Sequence, residues 1–147
     1  MNSLISDLLA NNIFLSILLA GLVSQSAKIL IIILKHKQKF RFKDLMITGG
    51  MPSAHSAFVG SLMTIIWLDQ KFSPLFFAVF TFSLIVLRDS IGVRRSVGEE
   101  GKLIQKIIKR ENIKAEKFHF SLGHNPTEVL VGLIIGFFSA IFSYFIL

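Results

Sequence analysis

Cysteine is absent from this chain of 147 residues, which excludes disulfides, thiolate metal sites and cysteine nucleophiles together. Acidic residues are few, nine against sixteen Lys and Arg. They are scattered, and no His-Glu-x-x-His pattern or comparable metal-ligand spacing occurs. There is no internal repeat and no low-complexity segment. A cleaved secretory signal is not expected either, because such a signal needs a basic start, a short apolar run and a small-residue cleavage site. The N-terminal stretch carries only Asp7 ahead of a run long enough to span a bilayer, so that run is expected to remain uncleaved.

Apolar residues are abundant: 52% of the chain is hydrophobic, fifteen residues are phenylalanine and the mean hydropathy is +0.66. That composition is wrong for a small soluble domain and right for an integral membrane protein. Length argues for a single domain over residues 1–147. Apolar runs cover residues 13–34, about 48–68, 72–87 and 127–147. At ~1.5 Å per helical residue, runs of ~20 residues cross a ~30 Å hydrocarbon core. The expected fold is all-α, an integral membrane bundle of about four transmembrane helices in up-down order. Residues 4–10 either extend the first helix or lie along the interface.

The net charge of +7 is not spread over a soluble face, so it argues against nucleic acid as a partner. Residues 35–43 hold five of the cations and residues 88–117 hold nine, whereas the termini and the turn at 69–71 have almost none. Positive-inside counting places both basic loops in the cytoplasm and both termini outside the cell membrane. Within the second basic loop, Val97, Leu103, Ile104, Ile107 and Ile108 form an apolar stripe opposite Lys102, Lys106, Lys109 and Arg110. This is an amphipathic helix, suited either to an anionic leaflet or to covering the mouth of the bundle. Small residues recur every fourth position, Ser56-Gly60-Thr64 and Gly132-Gly136-Ala140. That spacing permits close helix packing, within one bundle or across a homodimer.

Two segments combine a histidine with the start of a helix: Pro52-Ser53-Ala54-His55 and His124-Asn125-Pro126-Thr127-Glu128. Each follows a basic loop, so both share one membrane face, where the free N–H groups of helix N-termini favour an anion. The second also reads as Asn125 N-cap, Pro126 at N1 and Glu128 at N3, which leaves Glu128 a capping role as its alternative. Lys28 stands late in the first apolar run beside Ser24, Gln25 and Ser26. A lysine at that depth needs a partner, a wet cavity or a path to snorkel to the interface. Lys35 follows two turns later on nearly the same face.

In order and spacing, Lys28, Lys35, the Pro-Ser-Ala-His tetrapeptide and His124 with Glu128 resemble the type 2 phosphatidic acid phosphatase superfamily, which includes the vanadium haloperoxidases. Lys35 and His36 replace that family's Arg-Pro, Ala54 its glycine and Glu128 its aspartate, while Phe118 occupies the position of its third-motif arginine. Arg88, Arg94 and Arg95, in Arg88-Asp89-Ser90-Ile91-Gly92-Val93-Arg94-Arg95, are the candidates to replace that arginine. They are equally placed to set topology or to pair with Asp89 and Glu99. With these substitutions the chain looks like the divergent small bacterial branch of the superfamily. The resemblance implies a metal-independent hydrolase of a lipid phosphate or pyrophosphate, with no cofactor and a phospholipid or polyprenyl phosphate as substrate. His124 would be the nucleophile, Glu128 its orienting acid and His55 the general acid and base. Lys28, Lys35, Ser53, Ala54, Arg88, Arg94 and Arg95 would hold the phosphate. A membrane protein that binds or translocates lipid phosphates without turnover is the alternative. His36 and His119 fit no motif.

Overall fold

The computed structural model describes residues 11–36, 50–113 and 123–146. These form five helices: α1 Asn12–His36, α2 Ala54–Gln70, α3 Pro74–Ile91, α4 Val93–Arg110 and α5 Pro126–Ile146. No strand occurs among the described residues. The segment 4–10, the basic stretch 37–43, His119 and Phe118 lie outside them.

Helix starts follow local capping chemistry. Asn11 Oδ1 accepts the N–H groups of Ile13 and Phe14, both at 3.0 Å, and so starts α1. Ser53 caps α2 and Ser73 caps α3, the latter with Pro74 in the first turn. α2 stops at Lys71, whose backbone adopts a positive φ of 52° and whose ammonium lies 5.3 Å from the Trp67 ring centroid. The expected third run, residues 72–87, becomes a helix that continues through Arg88, Asp89 and Ser90. Loss of hydrophobicity does not end a helix, whereas Gly92 does: its ψ of −94° leaves the helical region, and α4 begins at the next residue.

By length and composition, three stretches can cross a membrane: Asn12–Leu34, Pro74–Arg110 and Pro126–Ile146. The second of these is α3 continued past Gly92 by α4. About four spans were expected, and α2 is the difference. At 17 residues it is ~25 Å long, short of the hydrocarbon thickness. It begins at Ala54 because Ser53 caps it there. α2 is the central helix, packed against α1, α3 and α5, while α1 also meets α5.

Small and hydroxylic residues make up much of the interior. Ser16, Ala20, Ser24 and Lys28, one per helical turn, are the buried positions of α1. Where α2 meets α5 the backbones nearly touch. A Cβ on Gly132 would come within 2.3 Å of the Ser53 carbonyl oxygen, and one on Gly136 within 2.3 Å of that of Ala57. The small-residue stripe of α5 is therefore spent inside the bundle, on α2. Between helices, Ser16 and Ser61 hydroxyls are hydrogen-bonded, and Ser143 Oγ donates to the Asn12 carbonyl at 3.1 Å. Phe77, Phe82, Phe138 and Phe145 point outward. Lipid is as apolar as those side chains, so close packing and hydrogen bonds, rather than burial of large hydrophobes, hold such a bundle together.

Candidate active site

The two histidine motifs meet because the N-termini of α2 and α5 are tied together. The Ser53 N–H donates to the Glu128 carbonyl at 3.1 Å, one turn into α5. Gly132, on the next turn, lets α5 approach the start of α2 as described above. His124 sits just before α5, and its N–H donates to the Ser90 carbonyl at 3.2 Å, which fastens it to the last turn of α3. Gly123 allows this: a Cβ there would lie 2.2 Å from the Arg95 backbone nitrogen. The His124 position is thus set by α3, α4 and α5 together.

His124 is buried, and its Nδ1 lies 2.9 Å from Glu128 Oε2. A carboxylate accepts, so Nδ1 carries a proton, and in the neutral imidazole this tautomer leaves the lone pair on Nε2. The same Oε2 accepts the Asn125 N–H at 3.2 Å. The exposed His55, in the first turn of α2, has its ring 6.4 Å from the His124 ring, centroid to centroid, at 60°. The pair therefore presents one shielded and one solvent-facing imidazole.

Two cations act on this site. Lys28 is 6% exposed, so it does not snorkel to the surface, and its charge acts on both Glu128 and His55. Arg94, in the first turn of α4, acts on His55 and is ion-paired with Asp89 of α3. The remaining sequence candidates stand differently. Arg95 pairs with Glu99 along α4 at 3.1 Å, and Arg88 is exposed on the last turn of α3, not beyond the helix; neither joins the histidines among the described residues. Ser53 is fully buried, and its hydroxyl is occupied by Ser56: it accepts from the Ser56 N–H at 3.4 Å and from the Ser56 hydroxyl at 2.9 Å. Ala54 is the first residue of α2, where N–H groups lack intrahelical acceptors. Lys35 lies in the last turn of α1, with its side chain outside the described residues.

Sequence reasoning missed Gly123 and Ser90. Ser90 gives the carbonyl that holds His124, and its own hydroxyl is buried with no partner among the described residues. Nothing in its sequence context distinguishes it from an ordinary helical serine. Gly123, directly before the motif histidine, was the available signal for a close backbone approach.

The profile described as the divergent PAP2 family matches residues 9–139, a stretch that contains every residue of this site. The chain belongs to the divergent PAP2 family. It is also 33% identical, over 156 aligned positions, to a Bacillus subtilis protein named "Uncharacterized membrane protein YuiD", with 95% of this chain and 98% of that protein covered. No solved structure matches it. A membrane location follows for this divergent PAP2 protein from its apolar helices and from that relative.

Proposed function

We propose that this divergent PAP2 protein is a metal-independent membrane phosphatase that hydrolyses a lipid phosphate or pyrophosphate through a phosphohistidine. The observation that carries the proposal is His124: buried, held through Nδ1 by Glu128, and faced by His55 across 6.4 Å. In the first step Nε2 of His124 attacks phosphorus while the bond to the leaving oxygen breaks and His55 gives that oxygen a proton. Glu128 stabilises the positive charge that the imidazole gains. In the second step His55, now neutral, takes a proton from water. The resulting hydroxide attacks the phosphohistidine, which releases inorganic phosphate and restores His124. Lys28, Arg94 and the N–H groups of Ala54 and His55 at the start of α2 would neutralise the equatorial oxygens.

One observation favours binding or translocation without turnover. Arg94, the arginine whose charge acts on His55, is already paired with Asp89, and Phe118 stands where the wider superfamily has its arginine. Phosphate release by the purified protein from phosphatidate, phosphatidylglycerol phosphate and a polyprenyl pyrophosphate separates the two readings. Turnover that disappears in His124→Asn is expected. Tight binding of these lipids with no phosphate released by the parent protein would replace the phosphatase reading with the binding one.

A further inference from the structure

Helix α4 buries the wrong residues for a lid. Had it closed over the bundle, its apolar stripe would be turned inward. Instead Gly98 and Gly101 are its buried positions, while Val93, Val97, Leu103, Ile104 and Ile107 are each between 47% and 65% exposed. At about 100° per residue, Val93, Val97 and Ile104 fall within about 40° of one another, with Ile107 and Leu103 widening the stripe on one side. Lys102, Lys106 and Lys109 cluster about opposite, and the glycine line occupies the flank between the two faces. Among the described residues nothing covers the apolar or the basic face of α4. It also starts one residue beyond the end of α3, within a stretch long and apolar enough to cross the bilayer.

We infer that α4 lies in the plane of an anionic bilayer surface, its Val93-Val97-Ile104-Ile107 stripe sunk among the acyl chains and its lysines on the water side, drawn down by the negative surface potential of the headgroups. The occupant follows from the two faces together: bare apolar area demands an apolar medium, and the row of cations on the opposite face, within the reach of a charged surface's potential, selects negatively charged lipid over neutral lipid. Gly92 sets the turn from a spanning helix into the surface. This seat is independent of whether the histidines turn over a substrate. It would fix their level all the same, because Arg94 on α4 acts on His55 and the backbone of Arg94 and Arg95 packs on Gly123.

The absence of native cysteine makes single-site labelling direct. An environment-sensitive dye is attached to Val97→Cys, Ile104→Cys, Lys102→Cys or Lys106→Cys in the full chain. Each labelled protein is reconstituted into phosphatidylcholine vesicles with or without phosphatidylglycerol. In the anionic vesicles, dyes at 97 and 104 should be quenched by chain-brominated lipid and shielded from iodide, with the reverse at 102 and 106. Adding Lys102→Gln, Lys106→Gln and Lys109→Gln to Ile104→Cys should lower the ratio of lipid-facing to water-facing label roughly fivefold for each cation removed. Iodide access equal at all four positions would overturn the proposal, as would dyes at 97 and 104 shielded from both quenchers, which would mean that protein covers the stripe. Quenching indifferent to phosphatidylglycerol and to the lysine changes would overturn the selection of anionic lipid.

Discussion

Nδ1 of His124 and the N–H of Asn125 share a single carboxylate oxygen of Glu128, at 2.9 and 3.2 Å. Orienting the histidine and capping α5 are therefore not rival roles for Glu128. One side chain does both, because the histidine directly precedes the first capped residue and the helical N3 position reaches back to either.

Glu128→Gln separates the two roles energetically. The glutamine oxygen still accepts from the Asn125 amide, so thermal stability should stay within about 1 kcal/mol of the parent. The neutral amide cannot stabilise an imidazolium-like phosphohistidine, and loss of the orienting carboxylate in comparable triads costs up to ~10⁴-fold in rate. A folded protein with nearly abolished lipid-phosphate hydrolysis is expected. Turnover close to the parent's would remove Glu128 from the chemistry.

The second histidine should matter most after the phosphoenzyme has formed. With an aryl phosphate, whose leaving oxygen needs no proton, His55→Gln should still phosphorylate His124 but lose the base that activates water. Radiolabelled phosphate should then accumulate on the protein as an adduct labile in acid and stable in alkali, as a phosphohistidine is. An adduct with the opposite lability, or one that persists in His124→Asn, would place the nucleophile elsewhere. Orthovanadate should inhibit the parent by mimicking the transferring phosphoryl group.

Gly132→Ala tests the coupling of the two helix N-termini. Its Cβ would meet the Ser53 carbonyl, a backbone atom that cannot swing aside. Overpacking of this kind typically costs about 1–3 kcal/mol. Gly123→Ala should instead act locally, pushing the chain off Arg95 and dragging His124 with it, so that hydrolysis falls by more than the thermal stability would suggest. Parental activity in both variants would show that this close packing does not position the site.

Sidedness follows from the nine cations of residues 88–117, more than one phosphate uses. In intact cells a cysteine at Lys102 should resist membrane-impermeant thiol reagents, and one at Gln70, at the far end of α2 from His55, should react. The reverse pattern would put the histidines on the outer face.

Much of the fold was legible in the chain, because a bilayer imposes a one-dimensional rule: long apolar runs must be helices, and cations gather at their ends. Composition alone therefore determined an all-α membrane protein with an amphipathic helix after the third apolar run. The histidine motifs were legible for a related reason, since Ser53-Ala54-His55 and His124 to Glu128 carry both capping chemistry and functional groups in a few consecutive residues. Only the tertiary structure decided which cations join them. Lys28 and Arg94 act electrostatically on His55, whereas Arg95 is spent on Glu99 and Arg88 stays exposed on the last turn of α3. Spacing along a chain says which face of a helix a residue occupies, but not how the helices are turned against one another. That rotation is set here by backbone contacts at Gly123 and Gly132 and by the carbonyls of Ser90 and Glu128, interactions between segments far apart in sequence. The Ser53 side chain caps α2 locally, but its N–H finds its partner in the Glu128 carbonyl of α5, which no local pattern reveals.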